Sequence, residues 1–403
     1  MRLRRNEVPV EQTWNLGDLF ASPESWEAEK KAIEADLPTV TQYKGRLAEG
    51  AATLAAALKA YEALLERLDR WGTYANLVAS GDGSDPQNQG MLATAYALQS
   101  EFMAATSFVK SEILALPEGQ VEAWMAEDPD LAVYRPALEQ ILIERPHKLH
   151  PQTEEALAAL GEVTEAPFII YERARSSDMT FEPITAPDGR TLPVSFTLYE
   201  DELELSADTA VRRAAFDSFT RGLKAYQNTL AATFATEVKK NVVLSRLRGY
   251  ESVTHMLLAP HRIDHSAYCN LLDVIQTELA PHMRRYARLR KRVLGLDEMR
   301  YCDIEAPLDP EYNPQVTREE AGKLVLEALS VLGPEYRAII ERALNERWID
   351  WADNVGKQAG AFCTSPYGAH SYVLLTFTGQ MRSAFTLAHE LGHAGHFELA
   401  NRH

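Results

Sequence analysis

Cysteine is nearly missing from this sequence: Cys269, Cys302 and Cys363 are the only three in 403 residues. An odd count at wide spacing excludes a disulfide framework and a cysteine-held zinc, so three reduced thiols in or near the core are expected. Long apolar runs are missing too. No stretch is long enough to cross a bilayer, and the opening MRLRRNEVPVEQTW has basic residues without the apolar segment of a secretory signal. The expected location is the cytoplasm, with no membrane partner. Positive charge is the third scarcity. With 41 Lys and Arg against 58 Asp and Glu the net charge is −17, which argues against nucleic acid because phosphate binding needs clustered Lys and Arg.

What is present is a globular composition, 46% hydrophobic and 25% charged, with a mainly helical rhythm. Ser22 and Pro23 suit the cap and first turn of a helix carrying Trp26, Ile33, Leu37 and Val40. Leu54, Leu58, Tyr61, Leu65, Leu68 and Trp71 recur by threes and fours, the pattern of a core-facing helix. GDGSDPQNQG at 81–90 reads as a helix-to-helix connection. His147 and His150 lie in a proline-rich turn and read as surface or capping groups. Ser206 is expected to cap a helix burying Val211, Ala215 and Phe219, and TREE at 317–320 reads as a capping box. In the basic run RRYARLRKR, 284–292, Tyr286 and Leu289 are expected to turn inward from a solvated face.

Two β-prone pieces interrupt the helices. One hairpin is expected near 180–196, around Pro187-Asp188-Gly189, and another near 359–379, from AGAFCTS and SYVLLTFTG. The second precedes FTLAHELGHAGHFELANRH. An exposed strand edge there could hydrogen-bond an extended peptide, or the hairpin could simply lie in the core beneath the helix.

That last stretch contains His389-Glu390-x-x-His393, the H-E-x-x-H zinc pattern. With 11 histidines in 403 residues, roughly 0.03 chance occurrences are expected, so the pattern stands above noise. At 3.6 residues per turn His389 and His393 share a face and can reach one zinc ion. Glu390 lies beside them, placed to act as general base toward a metal-activated water rather than as a ligand. A catalytic zinc takes three protein ligands. The extension H-x-x-G-x-x-H is excluded, because positions 396 and 399 are His396 and Leu399. His396 shares the motif's face and is expected to support the site rather than bind the ion. His403 is expected to lie in the frayed end of the helix.

FTLAHELGHAGH resembles the active-site helix of the thimet oligopeptidase and oligoendopeptidase F family of zinc metallopeptidases, in which a further His commonly stands at the position of His396. WNLGDLF at 14–20, ERPHKLHPQTEEALA, the long run from RRAAFDSF to SRLRGYES and GKQAGAFCTSPYGAHSYVLLTF are similar to stretches of that family in the same order, with the oligoendopeptidase F branch the closer. The resemblance implies a mainly α fold, two lobes around a deep channel, one Zn2+ per complete site and short peptides as substrates. It implies His389 and His393 as zinc ligands, Glu390 as the catalytic base, and Gly360, Ala361, Phe362 and His396 as substrate-binding residues. It also implies a third ligand, a Glu, from a helix beyond the motif helix, and later Tyr and His groups for substrate and oxyanion. The chain is therefore expected to be C-terminally incomplete and inactive alone. The expected divisions are an N-terminal helical region at 1–110, the family's N-terminal domain at 111–200 and a catalytic domain at 201–403. The expected function is a zinc endopeptidase of oligopeptides; the alternative is a non-catalytic helical peptide-binding module or an inactive fragment.

Overall fold

The computed structural model describes the backbone of residues 3–309, 311–312, 314–358 and 360–402; the side chains of eleven helical positions between 151 and 201 are set aside. His403 and Ala359, the first residue of the expected second hairpin, lie outside the described residues. The chain is mainly α. It divides into two compact units, Met1–Glu139 with Asn313–His403, and Gln140–Tyr312. These follow packing, whereas 1–110, 111–200 and 201–403 follow sequence likeness, and we keep the latter as a proposed division. No helix among the described residues is long and apolar enough to cross a membrane.

The first unit opens on α1, Pro23–Asp36, where the Ser22 hydroxyl accepts from the Ser25 N–H and Pro23 fills the first turn. A long α2, Ala51–Gly81, buries Leu54, Leu58, Leu64, Leu68 and Trp71. Leu64 takes the inward place expected of Leu65, which is exposed. Trp26 and Trp71 stack at 4.6 Å and 8°. Each indole N–H donates to the other's backbone carbonyl, at 2.9 and 3.0 Å. Two large buried side chains are thereby fully satisfied, and each contributes about 3 kcal/mol from burial. Asp85 caps α3, Pro86–Thr106.

In the second unit, β1 (Ile184–Thr185) and β2 (Thr191–Leu192) pair antiparallel around Pro187-Asp188-Gly189, as expected. Helix α4, Thr209–Ala225, is capped by Asp208, whose carboxylate accepts from Ala210 and Val211. Ser206 instead accepts from the Asp208 N–H, so the helix begins two residues later than the Ser206 expectation. Helix α5 spans Gln227–Leu247. Helix α6, Ala280–Val293, buries no residue. Tyr286 and Leu289 do not turn inward: the Arg290 guanidinium lies over the Tyr286 ring at 4.8 Å and donates to its hydroxyl, so the ring serves as a platform at the surface.

Returning to the first unit, the expected capping box opens α7, Arg318–Leu329: Thr317 accepts from the Glu320 N–H and Glu320 from the Thr317 N–H. Gly333, at φ +101°, separates it from α8, Pro334–Asn345. Three short strands follow, β3 (Ile349–Asp350), β4 (Phe362–Thr364) and β5 (Tyr372–Leu374), in the order β3-β5-β4. The expected hairpin is the antiparallel β4–β5 pair; β3, parallel to β5, was not anticipated. Helix α9, Met381–Ala400, packs Leu387 and Leu391 into a core with Ile339, Ile340, Trp348 and Val373. Beneath the sheet the buried Asp350 carboxylate is held by Lys357 Nζ at 2.7 Å and by Arg5 Nη1 at 3.0 Å.

Candidate metal centre

The sequence of α9 divides its faces. Leu387, Leu391 and Ala394 are fully buried on the sheet side, while His389 and His393 are exposed. Glu390, one residue round from His389, is only 6% exposed. Burial pushes its carboxyl above the ordinary range, and the two imidazoles pull it partly back. No described hydrogen bond engages this carboxylate.

The imidazoles converge. His389 Nε2 and His393 Nε2 stand 3.1 Å apart, with the rings at 85°. Two nitrogens held tetrahedrally at zinc's usual bond length are about 3.3 Å apart, so the pair fits one ion. Among the described residues no group of three His, Cys, Asp or Glu is arranged to hold a metal. His396 is exposed beside Phe397, and a seven-residue separation puts it about 10 Å along the helix axis from His389, too far for a shared ion. Glu398 is committed elsewhere: its Oε1 accepts from the Ser371 N–H at 2.8 Å and hydroxyl at 3.1 Å. The Cys363 thiol is pushed up to about 12 by burial and by Glu390 and Glu398, so it stays protonated and does not offer a thiolate.

Strand β4 packs on α9 and is an edge strand. Val373 and Leu375 donate to Trp348 and Asp350 on the β3 side. Tyr372 and Leu374 therefore bond toward β4, where they pair with Thr364 and Phe362. By alternation the Cys363 N–H and C=O face the open edge. Of the expected substrate residues, Gly360 is exposed at φ +88°, Ala361 packs half-buried on the core, and Phe362 lies in β4 with its ring 6.3 Å from Trp14. The structure brings Phe362 and Ala361 to the strand under the motif helix and leaves His396 a turn beyond. Sequence reasoning missed the Ser371–Glu398 clasp and the open-edge backbone of Cys363; neither has a local signal, because both depend on which strand and which side chain arrive as neighbours.

Comparison with known proteins agrees with this architecture. Residues 203–403 match the family model described as Peptidase family M3, and residues 112–181 match the one described as Oligopeptidase F. The chain is 35% identical over 399 residues to Oligopeptidase PepF of Bacillus subtilis, covering 99% of this chain and 59% of that protein. It is 30% identical to an oligoendopeptidase F homolog of Borreliella burgdorferi, covering 99% of this chain and 67% of the relative. Among solved structures it is similar to oligoendopeptidase-F from Enterococcus faecium, with a TM-score of 0.63, 29% identity and coverage of 80% of this chain and 60% of that one. A Chlamydophila abortus structure gives a TM-score of 0.81 at 25% identity, covering 98% of this chain and 66% of that one. The chain thus spans about two thirds or less of the length of these proteins.

Proposed function

Because the chain belongs to the oligoendopeptidase F branch of peptidase family M3, we propose that it carries the metal-binding helix of a zinc-dependent endopeptidase acting on internal bonds of short peptides. The observation that carries this reading is the pair of facing imidazole nitrogens, 3.1 Å apart, with the Glu390 carboxylate beside them. In this reading His389 and His393 hold the zinc, and the third ligand, a Glu in the resembling family, is contributed from outside these residues. When bound there, zinc supplies Lewis acidity that polarises the scissile carbonyl and lowers the pKa of the attacking water. Glu390 takes the proton from that water and delivers it to the leaving nitrogen, a task suited to a carboxylate whose affinity for protons is raised by burial. The open edge of β4 receives the substrate backbone through the Cys363 N–H and C=O, with Gly360, Ala361 and Phe362 along the same segment. His396 is assigned to the substrate side of the site. A cytoplasmic location and a site enclosed enough to select short peptides belong to the same proposal.

The test measures zinc content and turnover of internally quenched peptides by the full-length protein and its Glu390→Gln variant. Zinc retained with turnover reduced at least a thousandfold is expected, since the amide cannot accept the proton. Undiminished turnover by Glu390→Gln would remove Glu390 as base, and zinc-free protein without turnover would favour the peptide-binding module.

A further inference from the structure

The sheet has a second side that the reaction does not use. Side chains alternate along β4: Ala361 and Cys363 pack on the core under α9, while Phe362 and Thr364 line a cleft of about 790 Å³ against α2 and α3. Any peptide strand added to the open edge of β4 continues the pleat. Its residue beside Cys363 then points toward α9, and the residues on either side of it point to the cleft side. A substrate held as proposed above therefore presents at least one side chain to the cleft whenever a peptide bond lies near Glu390.

The lining defines what fits. Leu65, Leu92 and Met103 supply apolar wall, Asn76 and Gln99 supply neutral amides, and Asp69 is the one charged residue among those lining the cleft. No Lys or Arg among the described residues forms an ion pair with the Asp69 carboxylate. A long aliphatic stem ending in a cation matches this combination: the stem covers the leucines and methionine, and the charge reaches Asp69.

We propose that the cleft between α2, α3 and β4 is a specificity pocket for a lysine or arginine side chain of the bound peptide, with Asp69 as its charge partner; this rests on the edge-strand reading of substrate binding. Gly72 offers a way to close the pocket without disturbing the fold, because a Cβ built there meets nothing within 4 Å. The peptides are blocked, fluorescein-labelled nonapeptides in which lysine or norleucine is moved through each position. Binding is read by anisotropy in the Glu390→Gln background of the full-length protein, so the peptides stay whole, and cleavage of the same peptides by the protein with Glu390 intact is read separately. Lysine should exceed norleucine by about fivefold at one register position, the upper range for an ion pair open to solvent on one side. Asp69→Asn should erase that preference, and Gly72→Phe should weaken lysine and norleucine peptides alike at that position while sparing alanine. A preference that survives Asp69→Asn, its absence at every position, or failure of all peptides to bind would overturn the pocket. Cleavage without any Asp69-dependent preference retires the pocket but keeps the peptidase reading. Asp69-dependent binding with no cleavage keeps the pocket and retires that reading.

Discussion

Tyr336 on α8 stands where a side chain on Gly395 of α9 would have to be: a Cβ built there falls 2.2 Å from the ring's Cζ and 2.5 Å from its hydroxyl. The same hydroxyl donates to the Gly392 carbonyl at 3.0 Å, one residue before His393. The missing side chain at Gly395 thus admits an aromatic ring from a neighbouring helix, and the Gly392 carbonyl anchors its hydroxyl. The rotation of the histidine face is fixed partly by this contact.

Gly395→Ala should therefore destabilise the protein by about 1–2 kcal/mol, because overpacking costs about 1–3 kcal/mol and the gain in helix propensity returns at most about 1. Tyr336→Phe, which loses only one hydrogen bond, should cost about 1 kcal/mol. Denaturant unfolding of Gly395→Ala with and without Tyr336→Ala measures the coupling. Additive effects would show that the two residues do not contend for the same space.

Lys357→Met is expected to cost about 3 kcal/mol in the same assay. Lys357 Nζ donates to the carbonyls of Asp350, Ala352 and Leu375 and pairs with the buried Asp350 carboxylate. Removing one member of such a buried pair strands the other and orphans the carbonyls. Arg5, partly exposed, still holds Asp350, which keeps the loss at the lower end of the range. Burial also holds the Lys357 ammonium below its ordinary 10.5, against the pull of Asp350. The unfolded chain therefore binds that proton more tightly, and stability from this group rises with pH between the lowered value and 10.5. Lys357→Met should abolish that part of the slope.

Local signals were legible and distant ones were not. Ser22 with Pro23, the 317–320 capping box, the Pro-Asp-Gly turn and the i, i+4 histidines are decided within a few residues by hydrogen bonding and helix geometry, and the structure follows them. The inward choice of Leu64 over Leu65, the outward Tyr286 and the reciprocal Trp26–Trp71 bonds depend on which neighbour arrives from elsewhere. Strand β3 shows the same limit: Ile349 and Asp350 are too short a run to declare themselves, and they become a strand only beside β5. In the candidate site, the two histidines and Glu390 were written in one turn of helix, whereas Ser371, Cys363 and Tyr336 enter it through tertiary contacts.

The three cysteines should react with iodoacetamide in a set order. Cys269 is half-exposed with its Sγ 3.6 Å from His265 Nδ1. Cys302 is buried with its thiol held up by that burial, and Cys363 is pushed up to about 12. Only the thiolate is nucleophilic, so in the folded protein at pH 8 Cys269 should be alkylated before Cys302 and Cys363. Peptide mapping by mass spectrometry reads the order, and early labelling of Cys363 would contradict its placement between the sheet and α9.

Zinc titration of the 403-residue chain is the sharpest check on the ligand assignment. Two imidazoles 3.1 Å apart form a real but minimal chelate, so binding should be weaker than at a site with three protein ligands. His389→Ala and His393→Ala should each reduce it below detection, because one imidazole on an exposed helix face leaves zinc held no better than in solution. Glu390→Gln should bind within about threefold of the unaltered chain, since the proposed base is not a ligand. His396→Ala should do the same, because about 10 Å of helix rise separates it from His389. Competition against a chromogenic chelator gives all five affinities in one assay. A loss at His396→Ala as deep as at His393→Ala would mean that the end of α9 bends to bring a third imidazole to the ion, and the ligand set would then be His389, His393 and His396.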